Sequence, residues 1–275
     1  MADRTAIETG LARIEAAFAV ARDEGRAALM PYMMGAFPDT ETAAAVADAY
    51  AESGADLIEL GVPFSDPLAD GPTIHAADTR ALANGATFEK ALEACALVAE
   101  RVPVVVMCYA NMALAMGPKR FAGRLAEAGA AGAIIPDMPL EEAGEVKAAL
   151  AALDLALVPL VAPTTPPERC ERIAAGAAGF VYIVSTVGTT GERKGGVPAQ
   201  IRAFIDGVKA KAEVPVAVGF GISTPEQAAA FGELADGVII GTRLVRAVDE
   251  SGGPSEAAEA VSSYLGEVLT ALRNR

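Results

Sequence analysis

Residues 214–242, VPVAVGFGISTPEQAAAFGELADGVIIGT, contain a complete strand–helix–strand unit. Two short runs rich in β-branched residues, VPVAVGF and DGVIIG, lie on either side of an Ala-rich segment. That segment begins with STPE at residues 223–226, which has the pattern of a capping box with a proline in the first helical turn. Both runs are almost continuously apolar, as parallel strands covered on both faces usually are. This stretch therefore predicts a βαβ unit.

The same unit recurs along the whole chain. Gly54 and Gly176 stand where intervening helices should end, and Thr165-Pro166 should open another. The turn after the first strand, GAFPD, lacks the glycine pattern of a dinucleotide-binding sheet. Eight βα units without such a turn favour an α/β fold of the (β/α)8 TIM barrel type, formed by residues 1–275 as one domain. The six earlier strand candidates, which begin near residues 28, 56, 103, 132, 155 and 179, are ALMPYMM, DLIELGV, VPVVVMCY, GAIIPD, LALVPLV and GFVYIVS.

An additional N-terminal helix is expected before the first strand, within residues 1–26. Leu11, Ile14, Phe18 and Ala21 recur at helical spacing, which gives the segment one apolar face. We expect this helical extension to pack on the barrel.

Composition and charge exclude several classes of partner. The formal net charge is −14, which opposes binding to nucleic acid and to anionic membrane surfaces. No eighteen consecutive residues are apolar, and the N-terminus lacks the apolar core of a signal peptide. Cys95, Cys108 and Cys170 lie far apart in apolar segments, which favours reduced packing residues. These features predict a cytoplasmic protein.

The two longest intervals between strand starts follow the second and sixth strands. Loops that follow barrel strands form the face that carries the active site, so extra length there indicates lids or catalytic loops. Residues 186–196, TVGTTGERKGG, are polar and Gly-rich. They are predicted to close over substrate as a lid, although an ordinary surface loop would have the same composition.

Three carboxylates mark the end of the second strand. Glu59 lies between Ile58 and Leu60, in a run that otherwise favours burial. Burial should raise the pKa of Glu59 and suit it to proton transfer, although a salt-bridged structural Glu is the alternative. Asp66 and Asp70 lie in a loop rich in Pro and Gly, where an Asp often only caps a turn.

Glycines follow the sixth, seventh and eighth strands. Glycine allows an oxyanion to approach the backbone, and a helix N-terminus favours negative charge. Barrels commonly bind phosphate after strands 7 and 8. The candidate stretches are Thr190-Gly191, residues 219–223 and Gly241-Thr242.

The single histidine and the positions of the lysines narrow the chemistry. A His-dependent triad or a His-rich metal site would depend wholly on His75, so no metal is expected. A Schiff-base aldolase needs a lysine on a strand, whereas every lysine here falls in a predicted helix or loop. Once His-dependent, metal-dependent and Schiff-base mechanisms are set aside, acid–base cleavage by carboxylates is the mechanism that the residues leave.

Residues 58–74, IELGVPFSDPLADGPTI, are similar to the signature of tryptophan synthase α subunits. CYAN at 108–111, STVGTTG at 185–191 and GFGIS at 219–223 support the resemblance, which extends from about residue 28 to about 245. It implies a retro-aldol cleavage of indole-3-glycerol phosphate to indole and glyceraldehyde 3-phosphate.

The resemblance also implies roles for individual residues. Glu59 matches the general acid/base, Asp70 the group that hydrogen-bonds the indole N–H, and Asp66 a loop residue that contacts the partner. The indole pocket would be lined by Tyr32, Ile74, Met107, Tyr109 and Tyr182. For Tyr32, Ile74 and Tyr109, generic core packing is the alternative. The phosphate would be bound by Thr190, Gly191, Gly219, Gly221, Gly241 and Thr242.

The implied partner is a tryptophan synthase β subunit, in an α2β2 heterotetramer. No cofactor is expected on this chain, because pyridoxal phosphate would belong to the β subunit. A free-standing lyase, a catalytically silent interaction barrel and another phosphate-binding barrel are the alternatives. Thr242, Arg243 and His75 depart from the family pattern, and the sequence leaves the roles of Arg243 and His75 open.

Overall fold

The described residues form one sheet of nine parallel strands, which are numbered in chain order and lie in the sheet in the order 5-4-3-2-1-9-8-7-6. The structure is a computed structural model that describes residues 9–184, 197–219 and 221–274. The strands are β1 (Ala28–Met34), β2 (Ile58–Gly61), β3 (Val104–Met107), β4 (Gly132–Ile134), β5 (Ala156–Val158), β6 (Leu160–Val161), β7 (Val181–Val184), β8 (Val216–Gly219) and β9 (Gly237–Ile240).

The sheet closes into a barrel at Pro159. The first and last strands of the sheet order, β5 and β6, are separated in the chain by this one residue. Proline has no N–H to donate to a neighbouring strand, but the Pro159 carbonyl still accepts a hydrogen bond from Tyr182 N at 3.0 Å. The predicted fifth strand, LALVPLV, is therefore one barrel strand in two parts, and the predicted barrel fold is confirmed.

The helices surround this barrel, and the long interval after β2 contains two of them. The extra length there is mostly ordered helix, and its longest non-helical stretch is residues 62–71. The helices are α1 (Gly10–Asp23), α2 (Thr40–Glu52), α3 (Pro72–Ala83), α4 (Phe88–Val98), α5 (Ala110–Met116), α6 (Pro118–Glu127), α7 (Gly144–Ala151), α8 (Pro167–Ala175), α9 (Ala199–Lys209), α10 (Pro225–Gly232), α11 (Thr242–Asp249) and α12 (Pro254–Arg273).

Both predicted helix ends are confirmed, but both predicted helix starts were wrong by a residue: α8 begins at Pro167, and its N-cap is Pro166 instead of Thr165. Gly54 follows the C-cap of α2, and Gly176 is the C-cap of α8. The N-cap of α10 is Thr224 instead of Ser223, because the Thr224 hydroxyl accepts the N–H of Gln227. The Gln227 side chain in turn accepts the N–H of Ser223 at 2.9 Å.

The predicted N-terminal helix is α1, and it packs against the inside of the barrel at the amino ends of the strands. Its buried side chains are Ile14, Phe18 and Ala21. They belong to one apolar cluster with side chains that the strands direct inward, here called the inner core. The strand residues of the inner core include Ala28, Met30, Leu57, Val105, Phe180 and Ala217.

A buried ion pair joins the beginnings of β1 and β2 near this end. Arg26 binds Asp56 through two hydrogen bonds of 2.5 and 2.9 Å, and Leu29 N also donates to the Asp56 carboxylate. Glu24 contacts both Arg26 and Arg273, which links the network to the end of α12. The network ties the first and last helices to the sheet.

None of the helices in the described ranges combines the length and the apolarity required to cross a membrane.

Candidate functional site

Glu59 points into the barrel from the middle of β2. Side chains of a strand alternate between its two faces, and Leu57, two residues earlier, belongs to the inner core. Ile58 and Leu60 face the other way, toward the surrounding helices. Glu59 is only 1% exposed, so its carboxyl group lies in an apolar interior.

This environment makes the neutral form of Glu59 the stable one. Neither carboxyl oxygen has a hydrogen-bond partner among the described residues, and an unpaired buried charge is costly. Burial, assisted by the negative charge of Asp70, raises the pKa of Glu59 to about 8. The Tyr182 phenol acts in the opposite direction by favouring the ionised form. Glu59 therefore holds a proton at neutral pH and can give it up close to that pH.

Two tyrosines pack inside the barrel above strand glycines. Tyr32 lies opposite Glu59 in the register of β1 and β2, and its ring occupies the space next to Gly61. Tyr182 on β7 lies against Gly219, where an added Cβ would be 2.6 Å from the phenol oxygen. Each glycine leaves room for an aromatic ring, so both tyrosines can line the space near Glu59.

Asp70 is held by Tyr109 in the loop after β2. The Tyr109 hydroxyl donates a 2.7 Å hydrogen bond to Asp70 Oδ2, and accepts one of 2.9 Å from Ala69 N. Phe64 stacks on the Tyr109 ring with the ring centroids 4.9 Å apart. Burial raises the pKa of Asp70, whereas Tyr109 and the nearby His75 favour its ionised form. Tyr109, one of the predicted pocket residues, thus anchors Asp70.

Asp78 on α3 was missed by the sequence reasoning. It is 3% exposed, its Oδ1 accepts the N–H of Phe64 at 3.1 Å, and its Oδ2 has no partner among the described residues. Burial raises the pKa of Asp78 to about 7, with a smaller contribution from the charge of Asp70. A signal was available, because Asp78 falls at helical spacing from Ile74 and Ala81 on the buried face of α3.

The remaining predicted pocket residues lie around the same mouth of the barrel. Ile74 is buried in the first turns of α3, and Met107 is half-buried at the end of β3. Asp66 is different, because it is exposed in the loop and its carboxylate accepts the Ser65 hydroxyl at 2.6 Å. It does not join the buried carboxyl groups.

The glycines after β8 and β9 lie at neighbouring strand ends, since these two strands pair. Gly221 has a φ of +64°, which glycine adopts at little cost. Gly241 is the N-cap of α11, and no described side chain accepts a hydrogen bond from the first turn of that helix. The N-terminus of α11, which begins with Thr242, can therefore receive an anion. Thr190, Gly191 and the predicted lid at 186–196 lie outside the described residues.

The two residues whose roles the sequence left open are now placed. Arg243 lies over the ring of Tyr264 on α12, with its guanidinium carbon 5.1 Å from the ring centroid. This cation–π contact directs the charge toward α12. His75 is exposed on α3, near enough to Asp70 to favour its ionised form.

The described lysines lie outside the strands, as their positions in the sequence predicted. Lys90, Lys119, Lys147 and Lys209 lie on helices and Lys211 in a turn, so no described lysine projects from a strand. Across the described part of the chain, no three or more His, Cys, Asp or Glu side chains are grouped so that they could hold a metal ion.

Comparison with known proteins places the chain among close relatives. The family model for the tryptophan synthase alpha chain matches residues 18–272. The tryptophan synthase alpha chain of Chloroflexus aggregans is 43% identical over 262 residues, which cover 94% of this chain and 97% of that protein. The tryptophan synthase alpha chain of a Roseiflexus species is 45% identical over 257 residues, which cover 91% of this chain and 97% of that protein. A structure of Mycobacterium tuberculosis tryptophan synthase superposes with a TM-score of 0.88 at 37% identity, covering 96% of this chain and 99% of that one.

Proposed function

This chain belongs to the tryptophan synthase alpha chain family, and we propose that it cleaves indole-3-glycerol phosphate to indole and glyceraldehyde 3-phosphate with Glu59 and Asp70. One observation carries the assignment of residues: the Glu59 carboxyl group is buried inside the barrel, and the charge of Asp70 at the mouth adds to the burial that raises its pKa. Two carboxyl groups in different environments can divide acid and base roles.

In this proposal Glu59 acts first as an acid and then as a base. Its proton goes to C3 of the indole ring, which becomes a tetrahedral carbon in an indoleninium cation. The resulting carboxylate takes the proton of the glycerol hydroxyl on the carbon attached to C3. As that C–O bond becomes a carbonyl, the bond to C3 breaks and its electron pair restores the indole. The pKa of about 8 suits both transfers, because the protonated and the ionised forms of Glu59 are both accessible near neutral pH.

Asp70 stabilises the positive charge that forms on the indole nitrogen. An ionised carboxylate near the indole N–H favours the protonated ring over the neutral ring, so its interaction strengthens as the reaction proceeds. Burial raises the pKa of Asp70, and Tyr109 and His75 oppose that shift by favouring its ionised form. With these two neighbours, Asp70 is proposed to act as the anion while Glu59 carries the proton.

The rest of the substrate is bound by the mouth of the barrel. Tyr32, Tyr182, Tyr109, Met107 and Ile74 supply apolar surface for the indole. The phosphate is bound by backbone N–H groups at Gly219, Gly221, Gly241 and Thr242, together with Thr190 and Gly191. Main-chain donors and the dipole of α11 suit an acidic protein, because they attract an anion without requiring a net positive charge.

The indole passes to a tryptophan synthase β subunit, in an α2β2 heterotetramer that works in tryptophan biosynthesis. The exposed Asp66 in the loop after β2 is proposed to contact that partner. Pyridoxal phosphate belongs to the β subunit in this assignment, and the cleavage itself needs no cofactor on this chain. The free thiols of all three cysteines fit a reducing cytoplasm.

The test is release of indole from indole-3-glycerol phosphate, with and without a β subunit. The purified chain should release indole, and the β subunit should accelerate it. Glu59→Gln should bind substrate but release almost no indole. The matched control is Glu259→Gln, which makes the same change on the exposed face of α12 and should keep wild-type turnover. No turnover by the wild-type chain under either condition would refute the lyase assignment, and wild-type turnover by Glu59→Gln would refute the role of Glu59.

A further inference from the structure

Asp78 is a buried carboxyl group that the proposed reaction does not use. It lies on α3, one element away from the loop that carries Asp70, and only one of its oxygens has a partner in the described residues. Buried polar groups in proteins are nearly always hydrogen-bonded. A carboxyl group that remains so poorly paired in the interior calls for a physical reason.

The one hydrogen bond of Asp78 reaches the backbone of the loop after β2. Phe64 N donates to Asp78 Oδ1 at 3.1 Å, and Phe64 has only a short loop on either side. Without an acceptor, this N–H would lose its hydrogen bond in a mostly buried place, at a cost of about 1–3 kcal/mol. Asp78 therefore fixes where the Phe64 backbone lies.

The position of Phe64 is transmitted to Asp70 through Tyr109. The Phe64 ring stacks on the ring of Tyr109, and the Tyr109 hydroxyl binds both Asp70 and the backbone of Ala69. Each contact is direct, so Asp78, Phe64, Tyr109 and Asp70 form a continuous chain from α3 to the carboxylate at the mouth of the barrel.

We propose that Asp78 is a positioning residue, which sets the orientation of Asp70 by anchoring Phe64 beneath Tyr109. The inference rests on the proposed function, because it assigns Asp78 a place in the same cleavage reaction. Asp78 does not touch the substrate in this account. Its effect on turnover passes entirely through Tyr109 and Asp70.

Two substitutions separate this role from simple stabilisation. Asp78→Asn keeps an oxygen that can accept the Phe64 N–H, whereas Asp78→Leu keeps only the branched Cγ, is larger and has no acceptor. If Asp70 interacts most strongly with the charged intermediate, Asp78→Leu should lower kcat by at least about tenfold with little change in KM. Asp78→Asn should stay within about threefold of wild type. The control is Asn84→Ala, which removes a side-chain hydrogen bond to Pro38 O at the other end of α3 and should leave kcat unchanged.

A double-mutant cycle tests the route. Tyr109→Phe removes the hydroxyl that binds Asp70, so adding Asp78→Leu to it should change kcat by less than about twofold. Full additivity of the two effects would overturn the proposal, as would a folded Asp78→Leu variant with wild-type kcat or an Asp78→Asn variant no better than Asp78→Leu. If Asp78→Leu does not fold, Asp78→Ser takes its place, because its hydroxyl is too short to reach Phe64 N, and the same outcomes apply.

Hydrogen exchange separates this inference from the proposed function. The Phe64 amide should exchange faster in Asp78→Leu than in wild type or Asp78→Asn, whatever reaction the protein catalyses. Unchanged exchange at Phe64 would overturn the anchoring role even if the wild-type chain cleaves the substrate. Conversely, a wild-type chain without lyase activity but with the expected exchange pattern would refute the function and retain the anchor.

Discussion

Replacing Glu59 with glutamine should stabilise the protein increasingly as the pH rises. The wild-type carboxyl group is buried without a hydrogen-bond partner in the described residues, so its ionised form is disfavoured in the fold. In the unfolded chain the same group ionises freely. Glutamine has nearly the same shape and no proton to lose, so it avoids this difference.

The magnitude follows from the pKa of Glu59, which is 4.5 for a side chain fully exposed to solvent and about 8 in the barrel. The raised pKa means that Glu59 favours the fold below pH 4.5 and that this contribution is lost as the pH rises toward 8. Because Glu59 ionises more readily in the unfolded chain, the unfolding free energy falls by about 1.4 kcal/mol for each pH unit. The loss reaches about 3 kcal/mol at pH 7 and about 5 kcal/mol well above pH 8.

Urea unfolding of wild type and Glu59→Gln at several pH values measures this cost. All other ionisable groups are shared, so the difference in unfolding free energy isolates Glu59. It should increase by about 4 kcal/mol between pH 5 and pH 9, in favour of Glu59→Gln. A difference that stays constant over this range would show that Glu59 is not a buried neutral acid, and the argument for its role in proton transfer would fail.

Three further predictions concern the pH dependence, the packing near Glu59 and the buried ion pair. Turnover should fall as the pH rises through about 8, because Glu59 then loses the proton that C3 must receive; a rate that keeps rising to pH 9.5 would contradict this. Gly219→Ala should displace Tyr182, whose phenol oxygen would lie 2.6 Å from the added Cβ, and should lower turnover at least about tenfold while circular dichroism shows the fold retained; wild-type turnover would argue against the packing described. Asp56→Asn should leave the Arg26 charge poorly compensated and lower the unfolding free energy by about 3–5 kcal/mol. Turnover should not change at a temperature where the variant is folded. A loss below about 1 kcal/mol in urea unfolding would show that this ion pair contributes little to stability.

The barrel could be predicted because its strands have a local signature. Strands covered on both faces are almost wholly apolar, and eight such runs recur with helices between them. The division at Pro159 was not predicted, since a proline within an apolar run does not reveal whether the strand ends or merely loses one hydrogen bond. The interval after β2 was read as loop, although most of it is α3 and α4, because its length alone does not distinguish a loop from a helix.

The candidate site was predictable only where a residue conflicts with its local sequence. Glu59 stands out because its neighbours in the chain are apolar. Asp78 does not, because a polar residue on an amphipathic helix is unremarkable until the packing of α3 shows which face is buried. Similarly, Arg243 contacts Tyr264 across two helices, and the sequence around neither residue predicts this contact.

The packing of α1 fills the amino end of the barrel with apolar side chains. Ile14 and Phe18 fill the amino end together with the inner core, and Glu59 lies between this floor and the mouth. A molecule that reaches Glu59 must enter and leave on the same side, past the loops that hold Asp70 and Asp66. A partner that receives the product therefore has to bind at this mouth. The direction in which indole leaves is thus set by α1, a helix at the opposite end of the protein.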